Sequence, residues 1–110
     1  MSRDAEIKFK LQFDENQVPE KIEWQASDSD EGGSSKASMI ALWDEKERNT
    51  LRIDLWTKEM DMDEMKIFTF QNVMTLADTY ARATNDNAGA KKLQEMMMSW
   101  GEETGIISRD

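Results

Sequence analysis

Two runs of this chain gather the acids from which a small protein builds a cation site or an acid–base pair. The first, Asp28-Ser29-Asp30-Glu31-Gly32-Gly33, sets three carboxylates beside paired glycines, and hard cations such as calcium bind oxygen ligands only. A twelve-residue calcium loop starting at Asp28 needs an oxygen ligand at its fifth position and a glutamate at its twelfth, where Gly32 and Met39 stand. The run therefore reads as a solvated linker. The second run, Glu59, Asp61, Asp63 and Glu64, could divide acid and base duties if burial separated the pKa values of two members. An enzyme of that kind would close a pocket around Asp54, Asp61 and Asp63. No nucleophile, oxyanion donor set or phosphate cradle accompanies these acids, and GxGxxG, P-loop and GxSxG motifs are all missing. Acids before a helix also serve as caps and suit the positive end of its dipole. With no Cys and no His, thiol and imidazole mechanisms and the usual zinc sites are excluded. The expectation is a protein that is not an enzyme, with no catalytic residue, metal, cofactor or small-molecule substrate.

Association is the chemistry that the remaining residues suit. Nine methionines and four tryptophans lie in 110 residues. Met60, Met62 and Met65 form one cluster and Met96, Met97 and Met98 another. Three consecutive positions span about 200° of a helix, so the second cluster cannot point into one core. Unbranched thioethers and indoles mould well to partner surfaces. The candidate interface residues are Trp24, Met39, Trp43, Trp56, Met97 and Met98.

Ile7, Phe9, Leu11 and Phe13 alternate with Lys8, Lys10 and Gln12, the period of a half-buried strand. Residues 14–17 are turn material, and Ile22 and Trp24 continue the alternation after Pro19, so the two segments read as a hairpin. Residues 27–35, SDSDEGGSS, are too polar and glycine-rich to hold a shape and read as a flexible loop. Residues 39–43 are apolar on both alternating sets, as in a strand covered on both faces. After a charged turn, Leu51, Ile53 and Leu55 make one face of a fourth strand, and Arg52, Asp54 and Trp56 the other.

Beyond Lys58 the period lengthens. Asp61 or Asp63 can cap a helix over residues 63–84, with a stripe of Met65, Phe68, Asn72, Leu76, Tyr80 and Ala83 widened by Val73 and Ala77. Residues 85–87 break it and offer caps for a second helix carrying Leu93, Met96, Met97 and Trp100, weakened at Gly101 and Gly105. The expected fold is α+β in two layers: one four-stranded antiparallel sheet followed by two C-terminal helices packed on one face. Residues 1–110 are read as one domain, with 1–4 and 106–110 frayed. On that arrangement Ile7, Phe9, Leu11, Phe13, Leu51, Ile53 and Leu55 face the helices, leaving Trp56 and part of residues 39–43 on the opposite side.

A formal charge of −9, from 23 acidic against 14 basic residues, repels nucleic acid and anionic headgroups. No apolar run approaches the ~20 residues that span a bilayer, so membrane insertion is not expected. The opening residues, MSRDAEIKFK, alternate charged and apolar types where a signal peptide requires an unbroken hydrophobic stretch. The reading is a cytoplasmic, acidic protein that binds a protein partner, itself, or both, as a dimer or tetramer.

Residues 50–60 (TLRIDLWTKEM), the following Asp63-Glu64-Met65-Lys66 and residues 75–84 (TLADTYARAT) resemble the GldC family of gliding-motility proteins, as does the opening hairpin, residues 6–24 (EIKFKLQFDENQVPEKIEW). The resemblance implies a cytoplasmic accessory or adaptor protein that supports the gliding machinery and its linked secretion apparatus without being a motor or an enzyme. It carries over no functional residues. The expected element order is also similar to that of SecB, a tetrameric export chaperone, which makes a holdase for exported proteins the alternative on architectural analogy alone.

Overall fold

A computed structural model describes residues 2–28 and 30–108. Met1, Ser29, Arg109 and Asp110, which belong to the expected frayed ends and flexible loop, lie outside them. The described residues form α+β structure in two compact units, residues 1–60 and 61–110.

The first unit holds five strands in two antiparallel sheets, which corrects the single four-stranded sheet. β1 (Ile7–Phe13), β2 (Pro19–Ala26) and β3 (Gly32–Ser35) form one sheet with β2 central; β4 (Ala37–Trp43) and β5 (Thr50–Trp56) form a separate two-stranded ribbon. The fifth strand, β3, comes from the segment read as loop. Its Gly-Gly-Ser-Ser sequence has no apolar alternation to announce it, and backbone pairing with β2 supplies what side chains do not. Trp24 faces Gly33 and Gln25 faces Gly32. A Cβ on Gly32 would lie 2.8 Å from the Trp24 carbonyl oxygen, so glycine permits that approach. β3 thus takes the β2 edge, and after one intervening residue, Lys36, the chain starts the ribbon.

Both long hairpins are closed by the same device. Asp14 Oδ1 accepts from the amides of Asn16 and Val18 at 2.8 and 3.0 Å, and Gln17 turns left-handed at φ 62°. Asp44 Oδ1 accepts from Lys46 and Glu47 at 2.8 and 3.0 Å, and Arg48 is left-handed at φ 54°. An aspartate that bonds the backbone two residues on nucleates a turn without glycine. The ribbon's other end is latched by buried Thr57, whose amide and hydroxyl both donate to the Lys36 carbonyl, at 2.8 and 2.9 Å. The core of this unit centres on Ile22, 1% exposed, which pairs with Leu11 across β1–β2 and with Ser35 across β2–β3.

The second unit is a helical hairpin, α1 (Met62–Thr84) and α2 (Asn87–Thr104). Asp61 caps α1 in a reciprocal box: its carboxylate accepts from the Glu64 amide at 2.7 Å, and Glu64 accepts from the Asp61 amide at 3.2 Å. Asn85 ends α1 in the left-handed conformation, and Asp86 caps α2 through the Gly89 amide at 2.9 Å. The expected α1 stripe holds at Met65, Phe68 and Asn72, which are half-buried, and shifts toward Val73 and Ala77 beyond them. Ala77 is fully buried and Val73, Met74 and Ala81 are half-buried, whereas Leu76, Tyr80 and Ala83 are exposed. On α2, Ala90 and Gly101 are buried and Leu93, Met97 and Trp100 half-buried, while Met96 is exposed. Small residues at these positions let two helices approach closely, which large stripe residues would prevent. Gln94 Nε2 ties the hairpin by donating to the Met74 carbonyl at 3.3 Å and to Asp78 at 3.1 Å. Gly105, at φ +87°, closes α2 and returns the chain so that the Ile106 and Ile107 amides both donate to the Gly101 carbonyl.

Candidate functional site

The register of the ribbon sorts its side chains into two faces. Ala37 pairs with Trp56, Met39 with Asp54, Ala41 with Arg52 and Trp43 with Thr50, and paired residues share a face. Three candidate interface residues, Met39, Trp43 and Trp56, therefore lie on one side of the ribbon. The two indoles stand at its opposite ends, about 20 Å apart at strand spacing, 64% and 59% exposed; Met39 between them is half-buried. Arg52 and Asp54 occupy the middle, joined by two hydrogen bonds of 2.9 Å.

Beyond Trp56 the face runs into an open groove of about 330 Å³ lined by Gln17, Val18, Pro19, Asp54, Leu55 and Trp56. An ion pair fixes the loop that forms one side of it. Lys58, just past β5, bonds Asp14 of the β1–β2 turn, whose side chain is only 9% exposed. The Lys58 ammonium, with the Val18 and Asn16 amides, holds the Asp14 carboxyl below its usual range, and Asp14 in turn raises Lys58.

The other candidates lie elsewhere. Trp24 is half-buried on the three-stranded sheet, opposite Phe9. Met97 and Met98 belong to α2, the first half-buried and the second exposed. Of the acids considered for catalysis, Asp54, Glu59, Asp61 and Asp63 are exposed and Glu64 is half-buried. Asp54 is engaged by Arg52, Asp61 is occupied as the α1 cap and Asp63 stands in its first turn. Asp28 pairs with Arg3 at 2.7 Å, and among the described residues no three acids converge as a cation site requires.

Sequence reasoning missed the ribbon's second face. Leu42 pairs with Leu51 and Ile40 with Ile53, yet Leu42, Leu51 and Ile53 are 55%, 49% and 50% exposed. The alternation of Leu51, Ile53 and Leu55 is visible in the sequence, where it reads as a face turned toward the helices. Also unforeseen was Tyr80, whose hydroxyl donates to Asp86 at 2.7 Å and braces the α1–α2 turn.

Two small antiparallel sheets followed by a helical hairpin define a small α+β protein. The chain belongs to the gliding motility-associated GldC-like family, whose model matches residues 19–105. That span runs from β2 through α2 and includes all six candidate residues. No curated protein and no solved structure matches the chain. Among the described residues no helix is long and apolar enough to cross a membrane.

Proposed function

We propose that this protein is a non-enzymatic cytoplasmic adaptor of the gliding machinery that acts by protein–protein association through the Trp43–Trp56 face. The observation that carries the reading is the pair of exposed indoles on one ribbon face, bordered by an apolar groove. Large aromatics dominate binding energy when a partner desolvates them, and leaving two of them in water has no structural purpose within the ribbon. The matched pair Arg52 and Asp54 keeps that face free of net charge, so docking would strand no lone ion. Trp24 and the α2 methionines Met97 and Met98 are secondary contacts in this proposal. A non-enzymatic role is supported by the engagement of Asp54 and Asp61 in an ion pair and a helix cap.

The test is replacement in a gliding bacterium lacking its own family member. The unaltered chain should restore surface movement, and the Trp43→Ala, Trp56→Ala double variant, present at equal level and equally folded, should not. Full movement with the double variant would refute the Trp43–Trp56 face as the working surface.

A further inference from the structure

Among the described residues, four strands of the first unit pair with another strand on one side only: β1 and β3 in the three-stranded sheet, β4 and β5 in the ribbon. A strand open on one side is a template for another chain, and its side chains decide which chain fits. β3 and β4 contain no ionisable residue, and β5 satisfies its own charges in the Arg52–Asp54 pair. β1 differs. It carries Lys8 and Lys10 and no acid, in a chain of formal charge −9.

The phase of β1 is set at its start, where the Ser27 amide donates to the Glu6 carbonyl at 2.9 Å. Hydrogen-bonded pairing alternates along an antiparallel ladder, so Lys8 and Lys10 turn their backbone groups toward β2, opposite Gln25 and Glu23. Ile7, Phe9 and Leu11 turn theirs outward, and among the described residues no hydrogen bond reaches these amides and carbonyls. The side chains alternate as well. Those of Ile7, Phe9 and Leu11 share one face, where Ile7 is 67% and Phe9 48% exposed. On the other face Lys21 occupies Glu23 at 2.8 Å and Lys8 holds Glu6 loosely at 3.6 Å, while Lys10 makes no ion pair among the described residues. The edge thus presents free backbone donors and acceptors between an apolar row and a row with an uncompensated positive charge.

That combination selects the occupant. A strand laid against β1 sets alternate side chains beside the two lysines and the others beside Ile7, Phe9 and Leu11. A second copy of β1 would bring lysine against lysine, which is unfavourable, and lysines on an edge strand are a common defence against such self-pairing. Acids at the same positions turn those lysines into ion-pair partners. We infer that the outer edge of β1 accepts an extended segment of another protein in which acidic and apolar residues alternate, extending the three-stranded sheet by a fourth strand. Main-chain hydrogen bonds to Ile7, Phe9 and Leu11 hold the segment, and its acids beside Lys8 and Lys10 fix its register.

A heptapeptide with blocked ends that alternates valine and glutamate is the probe. Added to the full chain, it should slow amide hydrogen exchange at Ile7, Phe9 and Leu11, read residue by residue by NMR, and leave the already paired Lys8 and Lys10 amides little changed. The matching valine–lysine peptide should bind at least about tenfold more weakly. Lys8→Glu combined with Lys10→Glu, both at exposed positions, should keep the circular dichroism of the parent and reverse that preference. No slowing at the three amides, equal binding of the two peptides, or an acidic preference that survives the charge reversal would each overturn the inference. So would protection of the same amides that rises with protein concentration alone, the mark of a second copy. The edge is separate from the adaptor face: the Trp43→Ala, Trp56→Ala double variant should bind the acidic peptide as the parent does, whatever becomes of its activity in gliding.

Discussion

Arg52 grips Asp54 with both arms of its guanidinium, Nε to Oδ2 and Nη2 to Oδ1, each at 2.9 Å, midway between Trp43 and Trp56. Two residues apart on β5, the pair shares one face and neutralises itself there. The ribbon thereby presents indoles flanking a charge-matched centre, in a chain whose remaining surface is strongly acidic.

Arg52→Ala should therefore separate binding from stability. Exposed ion pairs contribute little to folding, so the melting temperature should stay almost unchanged. The same variant leaves Asp54 without its guanidinium on an apolar face and should weaken function in the gliding assay as the double tryptophan variant does. A large loss of melting temperature would assign the pair a structural role instead.

Asp14 gives the first unit a pH dependence of defined sign. A carboxyl held below its usual 3.8 in the folded state contributes stability that is fully present above that value and is lost as pH falls through the lowered one. Lys58, raised above 10.5, contributes the same pairing from the alkaline side and loses it as pH climbs past its elevated value. Asp14→Asn keeps an oxygen for the Asn16 and Val18 amides and removes the ion pair. Its melting temperature should be a few degrees lower at neutral pH and flatter below pH 4 than that of the parent, as read by calorimetry across a pH series.

Asp61→Ala should cost about 1 kcal/mol in urea denaturation followed by circular dichroism, the usual loss for an N-cap. Glu64→Gln keeps the reciprocal box and should cost less than half of that.

Ile22→Ala opens a cavity at the one fully buried large side chain among the described residues and should cost about 2–5 kcal/mol. That is a large share of the stability of a chain this size. Gly101→Val probes the second unit. Even a Cβ there would lie 2.5 Å from Ile107 Cδ1 and 3.3 Å from Phe70 Cε2, so the branched side chain should destabilise by about 1–3 kcal/mol.

Elements with a strong apolar period were legible in the sequence, and those held by backbone alone were not. Ile7 to Phe13 announced β1 by alternation, and Asp61 with Glu64 announced the start of α1. β3 had no side-chain period to read, because glycine and serine pair through amides and carbonyls. The split into two sheets was equally hidden, since period reports burial and says nothing about which strand lies beside which. The shift of the α1 stripe, and of Met96 on α2, has another cause. Leu76 and Tyr80 are large enough to look like core, but a close helix pair selects Ala77, Ala90 and Gly101. Trp43 and Trp56 could be named as interface candidates from residue type; that they share a face with Met39 depends on pairing Ala37 with Trp56, a register no single strand encodes.

Every strong pairing in this chain joins elements that follow one another: β1 with β2, β2 with β3, β4 with β5, and α1 with α2. The consequence is kinetic. Chains whose contacts are local have short loops to close and fold quickly, so each hairpin can assemble as it leaves the ribosome, before the next has been synthesised.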